Sequence, residues 1–238
     1  MEIVKRVSTS EAIVEHLVNR IRRGDYAPGE QLPSERLMQA ELGVGRLSLR
    51  EGLARLSALG IIRVDHGKGA FVQEHLNSEI LGHALVPMFP DRDSKRLQDL
   101  VDARSLIEGE LAAQAAKRRT DDDIVKLREI LEVTPESVED DRSLAELDFS
   151  FHREVARIAD NAFLMVMLEA LSNHIRSFLM EYARSQGNRK SAIERHRPIM
   201  DAIINQDPDA ARDAARMHID VCKSSLDNYI EKRKKQQS

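Results

Sequence analysis

The sequence predicts a mainly α protein in two parts: an N-terminal helix-turn-helix that carries a small β-hairpin, followed by an all-α helical bundle. Residues 34–72 show the pattern of a helix, a tight turn, a second helix and a hairpin. After Glu74 the strand signals vanish, and amphipathic helices separated by short polar breaks take over. We therefore expect one domain at residues 1–73, a short linker at 74–78 and a second domain at 79–238.

The first helix of the N-terminal part ends at a glycine. Gly43 stands where the helix must stop and the chain reverse. Apolar contacts in and after this helix are expected from Leu37, Met38, Leu42 and Val44. The second helix follows immediately, which is typical of a helix-turn-helix.

The second helix has one apolar face and one polar face. Its apolar side chains recur at helical spacing and form a stripe made of Leu49, Leu53 and Leu56. Arg46, Ser48 and Arg50 are left on other parts of the surface, where they can reach the major groove of DNA. Arginines on a helix surface are more often simply solvated, but the helix-turn-helix context favours DNA reading.

A glycine-rich hairpin completes the N-terminal part. The run 61–72 has β-branched residues around a tip of Gly67, Lys68 and Gly69. Such a tip can approach a phosphate backbone closely, so the hairpin is interpreted as a wing.

Charge and composition restrict the class of protein. The 238 residues are 42% hydrophobic and carry a net charge of −4, which argues against indiscriminate polyanion binding. Residues 36–68 nevertheless hold six Lys or Arg against three Asp or Glu, so the attraction to DNA is local.

The single cysteine excludes an intrachain disulfide. No apolar run approaches membrane-spanning length and no signal-peptide core is evident, so we expect a cytoplasmic protein without a membrane partner.

A metal-binding constellation is predicted in the helical part. Asp148 and His152 lie four residues apart and share one helix face. His196 and His218 each lie eleven residues from Asp207, on opposite sides of a predicted helix break, so an antiparallel hairpin would place them at one level. One carboxylate and three imidazoles suit one divalent ion per chain, with zinc preferred and nickel or manganese as alternatives. Each histidine could instead be an ordinary core residue.

The N-terminal residues resemble the winged helix-turn-helix of GntR-type bacterial transcription regulators. The resemblance covers about residues 10–73 and the motifs PSER, GRLSLRE and HGKG. It departs from the family pattern at Gly45 and Leu47, where relatives often carry polar residues. The resemblance implies contacts to double-stranded operator DNA from Arg36, Arg46, Ser48, Arg50, His66, Gly67 and Lys68.

The helical residues resemble the FCD effector domain of the FadR-type branch of that family, over about residues 78–230. This resemblance implies that Asp148 and the three histidines bind the metal. It also implies that Arg104, an arginine within an apolar helix pattern, helps to bind a small organic acid, although a salt bridge to Glu108 is the alternative. His174 and Arg176 are weaker effector-site candidates, and His174 could equally be a surface histidine.

These features together predict a ligand-responsive transcriptional regulator that reads a near-palindromic operator as a homodimer. The resemblance implies that it is a repressor. Two alternatives stay open. The Asp and His centre could serve a metalloenzyme, although the sequence has no H-E-x-x-H, G-x-S-x-G or P-loop motif. The metal ion itself could also be the signal.

Overall fold

The structure is a computed structural model of the 238-residue chain. It describes residues 8–75, 77–88, 94–132, 141–185 and 193–235. The chain divides into two compact units, Met1–Ile80 and Leu81–Ser238. Each unit has its own apolar core, so each is described by itself.

The first unit contains three helices and a two-stranded sheet. The strands are antiparallel, with Asp65 opposite Gly69 at the tip end of the hairpin. This arrangement confirms the predicted helix-turn-helix followed by a hairpin. The elements are α1 (Thr9–Arg22), α2 (Glu35–Leu42), α3 (Arg46–Ala58), β1 (Ile62–Asp65) and β2 (Gly69–Val72).

Glycines form the two reversals of the chain that the sequence predicts. Gly43 ends α2 in the left-handed conformation, with φ of 65°, and its N–H donates to the carbonyl of Gln39. Gly67 has φ of 75° at the hairpin tip. The tip is also held from below, because Gln31 Nε2 donates to the Lys68 carbonyl oxygen at 2.6 Å.

The core of the first unit forms where α1, α3 and the sheet meet. The predicted stripe of α3 is buried there, with Leu49 and Leu56 fully inaccessible. The apolar contacts predicted for Leu37 are not those of a core residue, because 54% of this residue is exposed and it lies outside the apolar core of the unit. Met38 is the one residue of α2 that is buried. Leu37 precedes it, and adjacent residues on a helix point about 100° apart around the axis, so Leu37 faces solvent.

The second unit is built from helices throughout its described residues. A 3₁₀ turn at Val86–Met88 follows the first of them. The helices after the hairpin are α4 (Ser78–Leu85), α5 (Ser94–Arg118), α6 (Asp121–Leu131), α7 (Asp141–Ala159), α8 (Ala162–Ser185), α9 (Arg197–Ile204) and α10 (Pro208–Lys235).

Two helix starts in the second unit are capped by polar side chains. Thr120 and Asp123 form a reciprocal capping box at the start of α6. Asp207 accepts a hydrogen bond from the Ala210 N–H at 3.0 Å, and Pro208 is the first residue of α10.

Helix α5 occupies the centre of the second unit, in contact with α7, α8, α9 and α10. Its run of small residues explains how so many helices approach it: Ala112, Ala113, Ala115 and Ala116 are all buried. This packing brings side chains from α5, α7 and α10 toward one interior point. None of the helices within the described ranges is long and apolar enough to span a membrane.

Candidate metal centre and nucleic-acid interface

The four predicted metal ligands come together inside the second unit. Helix α7 carries Asp148 and His152 one turn apart, His196 directly precedes α9, and His218 lies on α10. One donor atom from each side chain lies within 4.8 Å of the others. The spacing argument for the histidines on either side of the Asp207 break is also confirmed, since the rings of His196 and His218 have centroids 4.4 Å apart.

The donor atoms of this cluster face one another closely. The Nε2 atoms of His152 and His218 are 3.3 Å apart. Oδ1 of Asp148 lies 3.2 Å from Nε2 of His196, 3.6 Å from Nε2 of His218 and 3.8 Å from Nε2 of His152. All three histidines are buried, so bulk water does not separate these atoms.

The hydrogen-bond pattern of two rings tests whether a cation fits. Nδ1 of His196 lies 3.3 Å from the Ile193 carbonyl oxygen, while its Nε2 faces Asp148. Nδ1 of His152 lies 2.6 Å from Oε2 of Glu108, while its Nε2 also faces Asp148. A neutral imidazole has only one N–H, so each ring needs a second proton or a cation on its Nε2 side. The residues present therefore fit a divalent cation, and two of the three rings have an oxygen beside Nδ1, the arrangement that orients metal-bound histidines. Nδ1 of His218 is buried and has no hydrogen-bond partner among the described residues.

The protonation states also suit ligation. Burial, together with the neighbouring His196 imidazole, lowers the pKa of His218 to about 4, so this ring is neutral at neutral pH and can offer a lone pair. Burial opposes ionisation of Asp148. The His152 imidazole, hydrogen bonds from the other two rings and the Arg104 guanidinium outweigh it and hold the pKa of that carboxyl well below its ordinary value.

A buried ion-pair network adjoins the cluster. Arg104 is only 1% exposed; its Nε pairs with Oε1 of Glu108, and its Nη2 lies 3.4 Å from Oδ2 of Asp148. Burial raises the pKa of Glu108, but Arg104 and His152 overcome this and lower it to about 2. The salt bridge that the sequence left as an alternative for Arg104 is therefore present. The contact of Glu108 with His152 was not foreseen, because no spacing rule relates residues on α5 and α7.

The other effector-site candidates are less fully placed. His174, on α8, is half-buried, and its Nε2 lies 2.8 Å from the Gly82 carbonyl oxygen. Arg176 belongs to the same helix, but its side chain lies outside the described part of the structure.

The predicted DNA-facing residues are mostly at the surface of the first unit. Arg46 and Arg50 are exposed on the first two turns of α3, and Arg36 is exposed on α2. Ser48, on α3, is half-buried. The wing residues His66, Gly67 and Lys68 are all exposed at the tip of the hairpin.

A carboxylate that sequence reasoning missed lies among these cations. Oε2 of Glu35, in the first turn of α2, lies 3.0 Å from Nε of Arg50 and 3.9 Å from Nε of Arg46. The PSER motif contains this residue, but only the packing of α2 against α3 shows where its side chain lies.

Each of the two units matches a known protein family. Residues 9–72 match the family described as "Bacterial regulatory proteins, gntR family", and residues 99–221 match the FCD domain. The HTH-type transcriptional repressor NanR of Escherichia coli K12 is 33% identical over 219 residues, which cover 90% of this chain and 82% of NanR. NanR of Salmonella arizonae is 31% identical over 237 residues, which cover 97% of this chain and 89% of that protein.

Solved structures show the same fold. The chain matches Streptococcus agalactiae GntR with a TM-score of 0.66 and 29% identity, over 90% of this chain and 99% of the other. A GntR family member from Pseudomonas syringae matches with a TM-score of 0.53 and 23% identity, over 97% of this chain and 89% of the other. The family and these relatives are transcriptional regulators rather than enzymes, so the metalloenzyme alternative falls away. The chain therefore belongs to the GntR family of bacterial regulatory proteins, and it is a ligand-responsive, DNA-binding transcriptional regulator with an FCD domain.

Proposed function

We propose that the protein is a metal-dependent repressor of the FadR-type branch that binds a small organic acid in its helical unit and a near-palindromic operator as a homodimer. The observation that carries the proposal is a cluster of the half-buried Asp148 with three buried histidines, in a chain that also contains a DNA-reading unit; the histidines are His152, His196 and His218. The relatives described above are named repressors, which supports repression. Bacterial operators lie in the cytoplasm, so we place the protein there.

DNA binding is proposed to use the exposed cations of the first unit. Arg46 and Arg50 would enter the major groove, with Ser48 beside them on α3. The wing would contact the phosphate backbone, where glycine permits close approach and Lys68 supplies charge. The full proposed set is Arg36, Arg46, Ser48, Arg50, His66, Gly67 and Lys68.

The ligands of the metal are proposed to be Asp148, His152, His196 and His218. A mixed set of one oxygen and three imidazole donors suits zinc, and nickel or manganese are the alternatives. When bound, the cation supplies a positive centre that can hold an effector carboxylate. The organic acid is therefore expected close to these side chains.

The effector site is proposed to include Arg104, His174 and Arg176. Support for Arg104 comes from its 3.4 Å contact with Asp148, which places a buried positive charge beside the metal ligands. The ion pair with Glu108 compensates the charge of the Arg104 guanidinium, which is buried away from solvent. A small carboxylate near this point would meet two positive groups at once.

Mutations at the two sites test the proposal separately. Operator duplexes are first selected with the wild-type protein from a random-sequence library. Arg46→Ala should lose binding to the selected duplex by tenfold or more while retaining metal, and Arg55→Ala, on the same helix, serves as the matched control. Equal affinity of wild type and Arg46→Ala would overturn the assigned reading surface.

His196→Ala should lose the metal, measured by elemental analysis, while the first unit stays folded. Wild-type protein with metal is then titrated with a panel of small carboxylic acids, and release of the selected duplex is followed by fluorescence anisotropy. Binding of acid and DNA must change each other reciprocally. A response to zinc, nickel or manganese alone, with no effect of any acid, would instead make the metal the signal.

A further inference from the structure

Glu35 is a surface carboxylate with two arginine neighbours on the next helix. Its Oε1 and Oε2 accept hydrogen bonds from Nε of Arg50, at 3.2 Å and 3.0 Å. Its Oε2 also lies 3.9 Å from Nε of Arg46. One acidic side chain on α2 therefore hydrogen-bonds Arg50 and lies within ion-pair distance of Arg46, the two arginines that project from the start of α3.

The atoms that Glu35 leaves uncontacted are those that read bases. Among the described residues, the terminal Nη nitrogens of Arg46 and Arg50 have no hydrogen-bond partner. A guanidinium recognises guanine O6 and N7 through two parallel donors. The hydrogen bonds at Nε of Arg50 fix the plane and the direction of its fork, and the charge of Glu35 draws Arg46 toward the same side, so fewer rotamers must be frozen when DNA binds.

We propose that Glu35 is a specificity-determining residue, which orients the Arg46 and Arg50 forks toward guanine edges and reduces sequence-independent attraction to phosphate. The inference rests on the proposed contact of these arginines with bases. A carboxylate at a DNA-facing surface lowers affinity for any duplex, because phosphates repel it. Glu35 thus weakens binding to unrelated DNA while favouring one arrangement of the reading atoms.

Loss of Glu35 should change affinity for unrelated DNA and sequence discrimination in opposite directions. This distinguishes the proposed role from a role in folding. Loss of Glu35 should leave affinity for unrelated DNA equal or higher, because one negative charge disappears. The same loss should weaken discrimination, because the guanidinium groups sample more orientations. A residue needed only for folding would reduce both affinities together.

The test compares full-length wild type, Glu35→Gln and Glu35→Ala. The probes are the duplex that wild-type protein selects from a random library and an unrelated duplex of equal length. Fluorescence anisotropy at several salt concentrations gives the ratio of the two affinities. We expect the ratio to fall by about threefold to tenfold in both variants, a fraction of the value of one good base contact. Affinity for the unrelated duplex should not fall.

Glu51→Gln is the matched control, since it removes one negative charge from an exposed pair with Arg55 on α3. This control should alter affinity for both duplexes alike and keep the ratio. An unchanged ratio in both Glu35 variants, or a parallel fall of both affinities, would overturn the inference. If Arg46→Ala and Arg50→Ala also leave the ratio unchanged, the proposed reading surface itself is wrong; if they abolish discrimination while the Glu35 variants do not, only the role of Glu35 fails.

Discussion

Nδ1 of His152 lies 2.6 Å from Oε2 of Glu108, and both side chains are buried. The contact joins the central helix α5 to the helix that carries two of the four proposed metal ligands. A carboxylate that accepts a hydrogen bond from the outer N–H of a ligating histidine fixes the tautomer and orientation of that ring.

Glu108→Gln should lower metal affinity by about 10-fold to 100-fold, because the amide is uncharged and holds the His152 ring less firmly. Competition against a chromophoric chelator measures the affinity for zinc. Glu110→Gln, a half-buried position on the same helix, is the control and should bind zinc like the wild type. Identical affinities of Glu108→Gln and wild type would show that the contact does not support the metal centre.

Arg104 provides a prediction about stability. Arg104→Leu should destabilise the protein by about 3–5 kcal/mol, because it removes the cation that pairs with the buried carboxylate of Glu108 and with the half-buried carboxylate of Asp148. Urea unfolding, followed by circular dichroism, gives the difference in free energy of unfolding. The double variant Arg104→Leu with Glu108→Leu should recover part of the loss, since the uncompensated charge of Glu108 is then gone. Equal stability of wild type and Arg104→Leu would contradict this account of the network.

Asp123 links acid stability to a helix start. Burial raises the pKa of this carboxyl, but hydrogen bonds from the Thr120 N–H, the Thr120 hydroxyl and Arg157 outweigh it and lower the pKa. When the pKa of a carboxyl is lower in the folded than in the unfolded protein, ionisation of that carboxyl stabilises the fold. This stabilisation is complete at pH values above the unfolded pKa, about 3.9, and it is lost as the pH falls through the folded pKa.

Asp123→Asn should therefore cost about 1 kcal/mol at pH 7 and much less at the acidic end of the range where the wild type still folds. Thermal unfolding at a series of pH values measures the difference. Asp122→Asn, at an exposed neighbouring position, should show a smaller effect throughout. A constant difference between Asp123→Asn and wild type from neutral to acidic pH would be evidence against the proposed linkage.

Lys68 at the wing tip gives a prediction about salt. If Lys68 contacts a phosphate, Lys68→Gln should lower the affinity of the protein for the selected duplex and for an unrelated duplex by the same factor. It should also reduce the slope of log affinity against log salt concentration by about one, because one fewer counter-ion is released. Lys126→Gln, on an exposed face of α6, should leave the slope unchanged. A selective loss at the chosen duplex alone would point to base reading by Lys68 instead.

Local rules predicted a large part of this molecule. Gly43 stops α2 because a left-handed residue suits glycine, and the apolar stripe of α3 is buried because periodicity of 3.6 places those side chains on one face. The pair Asp148 and His152 follows from one helical turn. Even the approach of His196 to His218 could be predicted, since equal distances from a break imply equal levels in an antiparallel hairpin.

Rules that act along the chain thus predict the winged helix-turn-helix, the helical second part and the four residues of the Asp and His cluster. The packing of the helices against one another, by contrast, brings Glu108 to His152, places Glu35 beside Arg50 and Arg46, and leaves Leu37 exposed. The physical reason is that helix periodicity fixes neighbours within one element, whereas contacts between helices depend on how the elements rotate and approach when their cores close.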